Sequence, residues 1–179
     1  METEQQLLEA VKAGDRQAMR RLYERYKGYA ISTGLRYIPN GDDVEDVVQD
    51  CFVKILTSIQ RFNYQGEGSL KSWIGRTVAN KSIDFVRMHE RISFTDTIPD
   101  VPDEEPEVER IPPDVLTSMI AQLPPGYRLV FNLYVFEHCS HKEIAQRLGI
   151  GESSSSSQLT RAKNKLIRKM NDYIKRHGL

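Results

Sequence analysis

Apolar residues recur at i, i+3, i+4 and i+7 through most of the chain, and strict alternation is hardly visible anywhere, so the pattern predicts an all-α fold. The clearest stripe runs through Val44, Val47, Val48, Cys51, Phe52, Ile55, Leu56 and Ile59. The turn Pro39, Asn40, Gly41 announces it, with Asp42 or Asp43 expected as the N-cap. Before it, Leu7, Leu8 and Val11 mark a short helix ended by Gly14, and Ala18, Leu22, Tyr26 and Ile31 mark a longer one running towards Tyr37. After it, Leu70, Trp73, Ile74, Thr77, Val78 and Phe85 repeat the spacing. Amphipathic helices of this kind bury their stripes against one another, which predicts a small bundle with Trp73 in its core.

A second series begins with Val115, Leu116, Met119, Ile120 and Leu123 and breaks at Pro124 and Pro125, which fit the first turn of a new helix. That helix carries Val130, Phe131, Leu133, Tyr134 and Val135. Ser140 and Glu143 then form a capping-box pattern, in which each side chain satisfies the other's exposed backbone N–H. Ile144, Ala145 and Leu148 give this short helix its core face, and Gly149, Ile150, Gly151 supply a tight turn. A last helix follows from about residue 152 towards 175, with Leu159, Ala162, Leu166, Met170 and Tyr173 inward. A short helix, a glycine turn and a longer basic helix predict a helix-turn-helix.

Between the two series, Pro99, Pro102, Pro106, Pro112 and Pro113 stand among acids, a composition that cannot bury apolar surface and favours extended chain. The expected organisation is therefore two small helical domains, residues 1–90 and 113–179, joined by an acidic flexible linker at 91–112.

Charge sharpens this division. The 25 basic and 25 acidic side chains cancel overall, but Glu90, Asp96, Asp100, Asp103, Glu104, Glu105, Glu107 and Glu109 face only Arg91 and Arg110. From Arg161 onward the balance inverts, with Lys163, Lys165, Arg168, Lys169, Lys175 and Arg176 opposed by Asp172 alone. Such a face suits phosphates, a solvated helix surface being the plainer alternative. No apolar run approaches the roughly 20 residues of a membrane span, and the start, with Glu2 and Glu4, lacks the pattern of a secretory leader, so a cytoplasmic location is expected.

Cys51 and Cys139 each lie within an apolar helical pattern and read as reduced core thiols. His138, Cys139 and His141 offer three potential ligands on nearly adjacent positions without a fourth at a recognisable spacing, so a helix-connecting turn is expected there and no metal. Glycine-rich phosphate loops, nucleophile elbows and paired catalytic carboxylates have no match, which points away from an enzyme, a cofactor or a small-molecule substrate.

Three segments carry a family resemblance: DDVEDVVQDCFVKIL at 42–56, SLKSWIGRTVANKSIDFVR at 69–87 and SHKEIAQRLGIGESSSSSQLTRAK at 140–163. In this order, and with an acidic linker between the second and third, they resemble the extracytoplasmic-function (ECF) sigma factors, the smallest members of the bacterial sigma-70 family. The resemblance implies a polymerase-binding helix in the first segment, a helix recognising the downstream promoter element in the second and an upstream-element helix-turn-helix in the third. Its implied partners are RNA polymerase core, promoter DNA and an anti-sigma factor.

On the first surface, Asp42, Asp46, Gln49, Asp50 and Lys54 lie outside the apolar stripe, and Asp46, Gln49 and Asp50 are the expected main contacts with a basic partner helix of the polymerase clamp. For the second surface, promoter opening exposes a base that a protein can capture in a pocket. The segment Phe62, Asn63, Tyr64, Gln65, Gly66, Glu67, Gly68 offers a flexible rim with amide and aromatic groups, Asn80 offers an amide for one base edge, and Arg76 and Lys81 offer cations for adjacent phosphates.

For the third surface, the reading segment of the recognition helix is 152–161, with Ser156, Ser157, Thr160 and Arg161 as candidate base contacts and Ser154 near a phosphate. Here the chain departs from the family pattern, which commonly has a basic residue at the position of Ser156 and an aliphatic one at that of Ser155. Serine costs roughly half a kcal/mol relative to alanine inside a helix, so the run Ser153 to Ser157 is expected to fray without DNA. Each missing phosphate contact removes about 0.9 from the logarithmic salt slope, and weak autonomous DNA binding follows. The resemblance implies that the acidic linker threads into polymerase and mimics nucleic-acid charge, a passive tether being the alternative. A helix-turn-helix regulator acting without polymerase core is the alternative function.

Overall fold

The computed structural model describes residues 2–94 and 105–178, and the chain divides into two units, Met1–Phe85 and Val86–Leu179. Among the described residues every regular element is helical. The first unit contains α1 (Glu4–Lys12), α2 (Arg16–Leu35), α3 (Gly41–Ser58) and most of α4 (Ser69–His89), with a 3₁₀ turn at Ile59–Arg61. The stripe read from the sequence forms its core: Leu7, Leu22, Val44, Val48, Ile55, Ile59, Leu70, Ile74 and Val78 are all buried. Gly34 of α2 meets Val44 of α3 so closely that a Cβ there would stand 2.8 Å from Val44 Cγ1.

The cap of α3 differs from the expectation. Asn40 is the N-cap, its Oδ1 accepting from the N–H groups of Asp42 (2.8 Å) and Asp43 (3.3 Å). The backbone at Asn40 is extended and the residues from Gly41 onward are already helical, which leaves the two aspartates in the first turn, where the helix dipole favours them. Trp73 also departs from its expected core position. It is half-buried, because position 73 lies at the margin of α4's apolar face, where Phe62 and a cavity replace helix packing.

The second unit contains α5 (Pro113–Ala121), α6 (Pro125–Val135), α7 (His141–Leu148) and α8 (Glu152–His177). Pro113 and Pro125 each take the first helical position, where no N–H is needed. Ser140 and Glu143 close the capping box, with the Ser140 N–H donating to Glu143 Oε2 at 2.8 Å and the Glu143 N–H to Ser140 Oγ at 3.3 Å. The Ser140 N–H and the Ser140 hydroxyl, both donating to Glu143 Oε2, hold that carboxyl below its usual range. Gly149, at φ +69°, ends α7 in the left-handed conformation that glycine adopts without strain. Leu129, Leu133, Ile144, Leu159, Ala162 and Leu166 form the core.

The first unit ends at Phe85, ahead of the expected limit at residue 90. The following residues belong to the second unit for visible reasons: Glu90 pairs with the buried Arg128, and a Cβ on Gly126 would stand 2.8 Å from the Ser93 carbonyl oxygen. Of the expected linker at 91–112, residues 95–104, including Asp96, Asp100, Asp103 and Glu104, lie outside the described residues. At its far end Val108–Arg110 form a 3₁₀ turn and Ile111 is buried in the core of the second unit. No described helix is long and apolar enough to cross a membrane.

Candidate nucleic-acid and partner surfaces

The packing of α3 against α4 and the turn that follows α3 leaves a cavity of about 520 Å³ in the first unit, lined by Lys54, Ser58, Arg61, Phe62, Asn63, Trp73, Arg76, Thr77 and Asn80. The size falls within the roughly 300–1,000 Å³ of sites that hold a small ring system. Three cations and no carboxylate line it, together with two amides and two aromatic rings. Phe62 and Trp73 stack with centroids 4.8 Å apart and planes at 26°, making one wall a flat apolar surface. Cations for phosphates, amides for a base edge and an aromatic wall for a base face are the chemistry a captured nucleotide needs.

Of the residues expected on this surface, Arg76 and Asn80 line the cavity, joined by Lys54, which the sequence reading placed with the polymerase contacts. Tyr64, Gln65 and Gly66 are absent from the lining and stand on the adjoining loop, where Gln65 N–H donates to Ser69 Oγ at 3.2 Å and Gly66 has φ +107°. Lys81 instead points its ammonium at Asp50, 3.3 Å from Oδ2. Phe62 and Asn63, from the loop stretch 62–68 expected to form the rim, do line the cavity. Sequence reasoning missed Ser58 and Arg61 and read Trp73 as core; Arg61 immediately precedes the stretch, and that proximity was the available signal.

On the outer face of α3, Asp46, Gln49 and Asp50 are exposed, as the apolar stripe requires. Val53, also missed, is 65% exposed and sits three and four residues beyond Asp50 and Gln49, so it shares their face. This places an apolar side chain among acids on an unburied helix surface. The Asp50–Lys81 pair is itself exposed, at 68% and 48%, and pairs of this kind contribute only about 0–1 kcal/mol, so both groups remain available to a partner.

The serine run forms the first turns of α8. Ser155 is fully buried, with its Oγ 2.9 Å from His141 Nδ1, while the His141 ring stacks on Tyr134 at 4.9 Å and 22°. A hydroxyl–imidazole contact therefore joins α7 to α8 where the family commonly packs an aliphatic residue. Ser156 and Thr160 are exposed, Ser154 and Ser157 are half-buried, and Arg161 faces inward at 8% exposure. Ser153, Ser156, Thr160 and Lys163 make the outward stripe. The run is helical, with Ser157 Oγ donating to the Ser153 carbonyl at 2.9 Å and Thr160 Oγ1 to that of Ser156 at 3.2 Å. Ser155→Ala is expected to cost about 1 kcal/mol, a typical net hydrogen bond, in chemical denaturation, and Ser155→Val combined with His141→Leu to recover it by restoring an apolar contact.

Comparison with known proteins identifies the family. Residues 22–92 match the family described as Sigma-70 region 2 and residues 114–166 that described as Sigma-70, region 4. The chain is 31% identical over 148 residues to the ECF RNA polymerase sigma factor SigE of Mycolicibacterium smegmatis, covering 78% of this chain and 54% of that one. It is 26% identical to the ECF RNA polymerase sigma-E factor of Escherichia coli K12 across 97% of each. The chain thus spans about half the length of the mycobacterial relative and nearly all of the enterobacterial one. Among solved structures, CnrH in complex with the cytosolic domain of CnrY matches with a TM-score of 0.48 and 25% identity, over 93% of this chain and 96% of that chain.

Proposed function

Because the chain belongs to the ECF group of the sigma-70 family, we propose that it binds RNA polymerase core through the outer face of α3 and directs it to promoters recognised by both units. The cavity bounded by Arg76, Trp73 and Asn80 is the observation that carries this reading. A regulator that reads only duplex DNA has no use for a cation-rimmed, aromatic-walled pocket beside an acidic helix face, whereas an initiation factor needs one to hold a base taken from the opened strand. Asn80 supplies a donor and an acceptor to one base edge, the Phe62–Trp73 wall covers a base face, and Lys54, Arg61 and Arg76 surround the opening with charge for the flanking phosphates. In the second unit, α8 enters the major groove with Ser156 and Thr160 outward, and the tether between the units lets both elements be engaged together.

Transcription from a fragmented genomic template with sigma-free polymerase core tests the reading. Wild type is expected to give discrete transcripts, and Asn80→Ala to weaken them about tenfold, the discrimination that one bidentate base contact supplies, while core affinity stays unchanged. If wild type yields no transcript and forms no complex with core on a sizing column, the proposal fails and DNA binding without polymerase becomes the leading reading.

A further inference from the structure

We infer that α1 is a two-point clamp on the loop at 62–68, with Glu4 and Lys12 as positioning residues for the segment that receives the downstream promoter base. The inference rests on the proposed function for what the loop binds, but the clamp is drawn from contacts within the first unit. Glu4 is 2% exposed. Its Oε1 accepts from the N–H groups of Gly68 (3.1 Å) and Leu70 (3.0 Å), and its Oε2 accepts from the Tyr26 hydroxyl at 2.9 Å. At the other end, Lys12 Nζ donates to the Phe62 carbonyl at 2.7 Å, and Gln60 Nε2 donates to the Lys12 carbonyl at 2.6 Å. One nine-residue helix thus holds both ends of the loop.

A buried carboxylate is an expensive way to fill a core, since an apolar side chain of similar volume packs there without losing hydration. What an apolar side chain cannot do is fix the N–H groups of Gly68, just before α4, and of Leu70 in its first turn, where the helix supplies no partners of its own. The loop needs outside help, because Gly66 and Gly68, at φ +107° and +88°, occupy conformations whose cost in chain entropy is highest for glycine. Burial and the bond to Glu4 push the Tyr26 hydroxyl well above its ordinary pKa, consistent with a neutral phenol donating into the carboxylate. Phe62, held through its carbonyl by Lys12, is also the ring stacked on Trp73 in the cavity wall. Geometry imposed by α1 is therefore passed directly to the base-receiving surface.

The test compares wild type, Glu4→Ala, Glu4→Gln and Lys12→Met in two readouts. The first is amide hydrogen exchange across residues 62–70 of the full chain without polymerase, which reports local opening. The second is transcription by the reconstituted holoenzyme from a promoter found with the wild type and from the same promoter with single downstream-element bases changed, scored as the ratio between them. Glu4→Ala is expected to speed exchange in the loop about tenfold and to lower base selectivity about tenfold, the scale of a lost base contact, with affinity for core unchanged. Glu4→Gln keeps an oxygen for the two N–H groups and an amide for the Tyr26 oxygen, so it is expected to restore both readouts to within about twofold. Unchanged loop exchange in folded Glu4→Ala and Lys12→Met overturns the clamp whatever polymerase does, as does faster exchange with unchanged selectivity. Should Glu4→Ala not fold, Lys12→Met alone decides by the same criteria. Absence of wild-type transcripts, with exchange altered as expected, leaves the clamp standing and removes the proposed function instead.

Discussion

Arg128→Met is expected to destabilise the second unit by about 3–5 kcal/mol, the cost of breaking a buried ion pair by removing one partner. Arg128 is 2% exposed within a mostly apolar helix that also buries Asn132. Its Nη1 donates to the carbonyls of Ala121 (2.7 Å) and Leu123 (3.1 Å), and its Nη2 reaches both carboxylate oxygens of Glu90 at 2.5 and 2.6 Å. Methionine fills the same channel but leaves two carbonyls and a carboxylate without donors. Each buried acceptor so abandoned costs about 1–3 kcal/mol, and the Glu90 side chain, 27% exposed, recovers part of its own loss from water.

Against a total stability of about 5–15 kcal/mol, this loss takes a small helical unit close to its unfolding midpoint at room temperature. Glu90→Gln is expected to cost less, since the arginine keeps both carbonyls and an amide oxygen. Urea denaturation of the full chain followed by circular dichroism reads the effect as an early transition in the variant. A loss below about 1 kcal/mol would place the pair among exposed ones, which contribute little.

Arg128 also shows what kind of information the sequence carries. A single arginine between Tyr127 and Leu129, in the middle of an apolar series, marks a residue that either interrupts a core or is satisfied inside it, and its partner Glu90 lies 38 positions away. The helices themselves were legible because burial repeats every 3.6 residues and each helix declares its own stripe. The Ser140 box, the Gly149 turn and the prolines opening α5 and α6 were legible because capping is decided within a few residues.

Where adjacent polar residues compete, local pattern is insufficient: Asn40, Asp42 and Asp43 all suit a cap, and only the backbone angle at Asn40 selects it. Glu4 reads as a solvated first-turn acid, and its burial depends on N–H groups 64 and 66 positions later. The same holds for the cavity. Arg76 and Asn80 were recognisable on α4 by resemblance, but the wall that Trp73 and Phe62 build across the intervening loop follows from tertiary contact. Arg161, expected to face DNA, turns inward because the stripe of Leu159, Ala162 and Leu166 broadens to include it.

Asp50→Arg is expected to weaken core binding at least about 30-fold, the effect of losing an interface residue worth 2 kcal/mol or more. The substitution lies on the exposed face of α3, with the buried stripe untouched, so the helix and its bundle are expected to persist unchanged in circular dichroism. It converts an acidic surface into one that repels a basic partner, and like charges across an interface cost several kcal/mol.

Asp50 also touches Lys81 at 3.3 Å within the chain, which offers a second explanation for any loss. The combination Asp50→Arg with Lys81→Glu separates the two. It rebuilds the internal pair with reversed polarity while leaving an arginine in the acidic face. If the partner reads Asp50 directly, the double variant stays weak and its deficit shrinks as salt is raised, because screening weakens the repulsion of exposed charges. If Asp50 matters only through the ion pair it makes with Lys81, the double variant binds core as tightly as wild type. Recovery of that kind would shift the polymerase contact towards Asp46, Gln49 and the exposed Val53, and would make the Asp50–Lys81 pair a structural tie between α3 and α4 whose polarity the partner does not read.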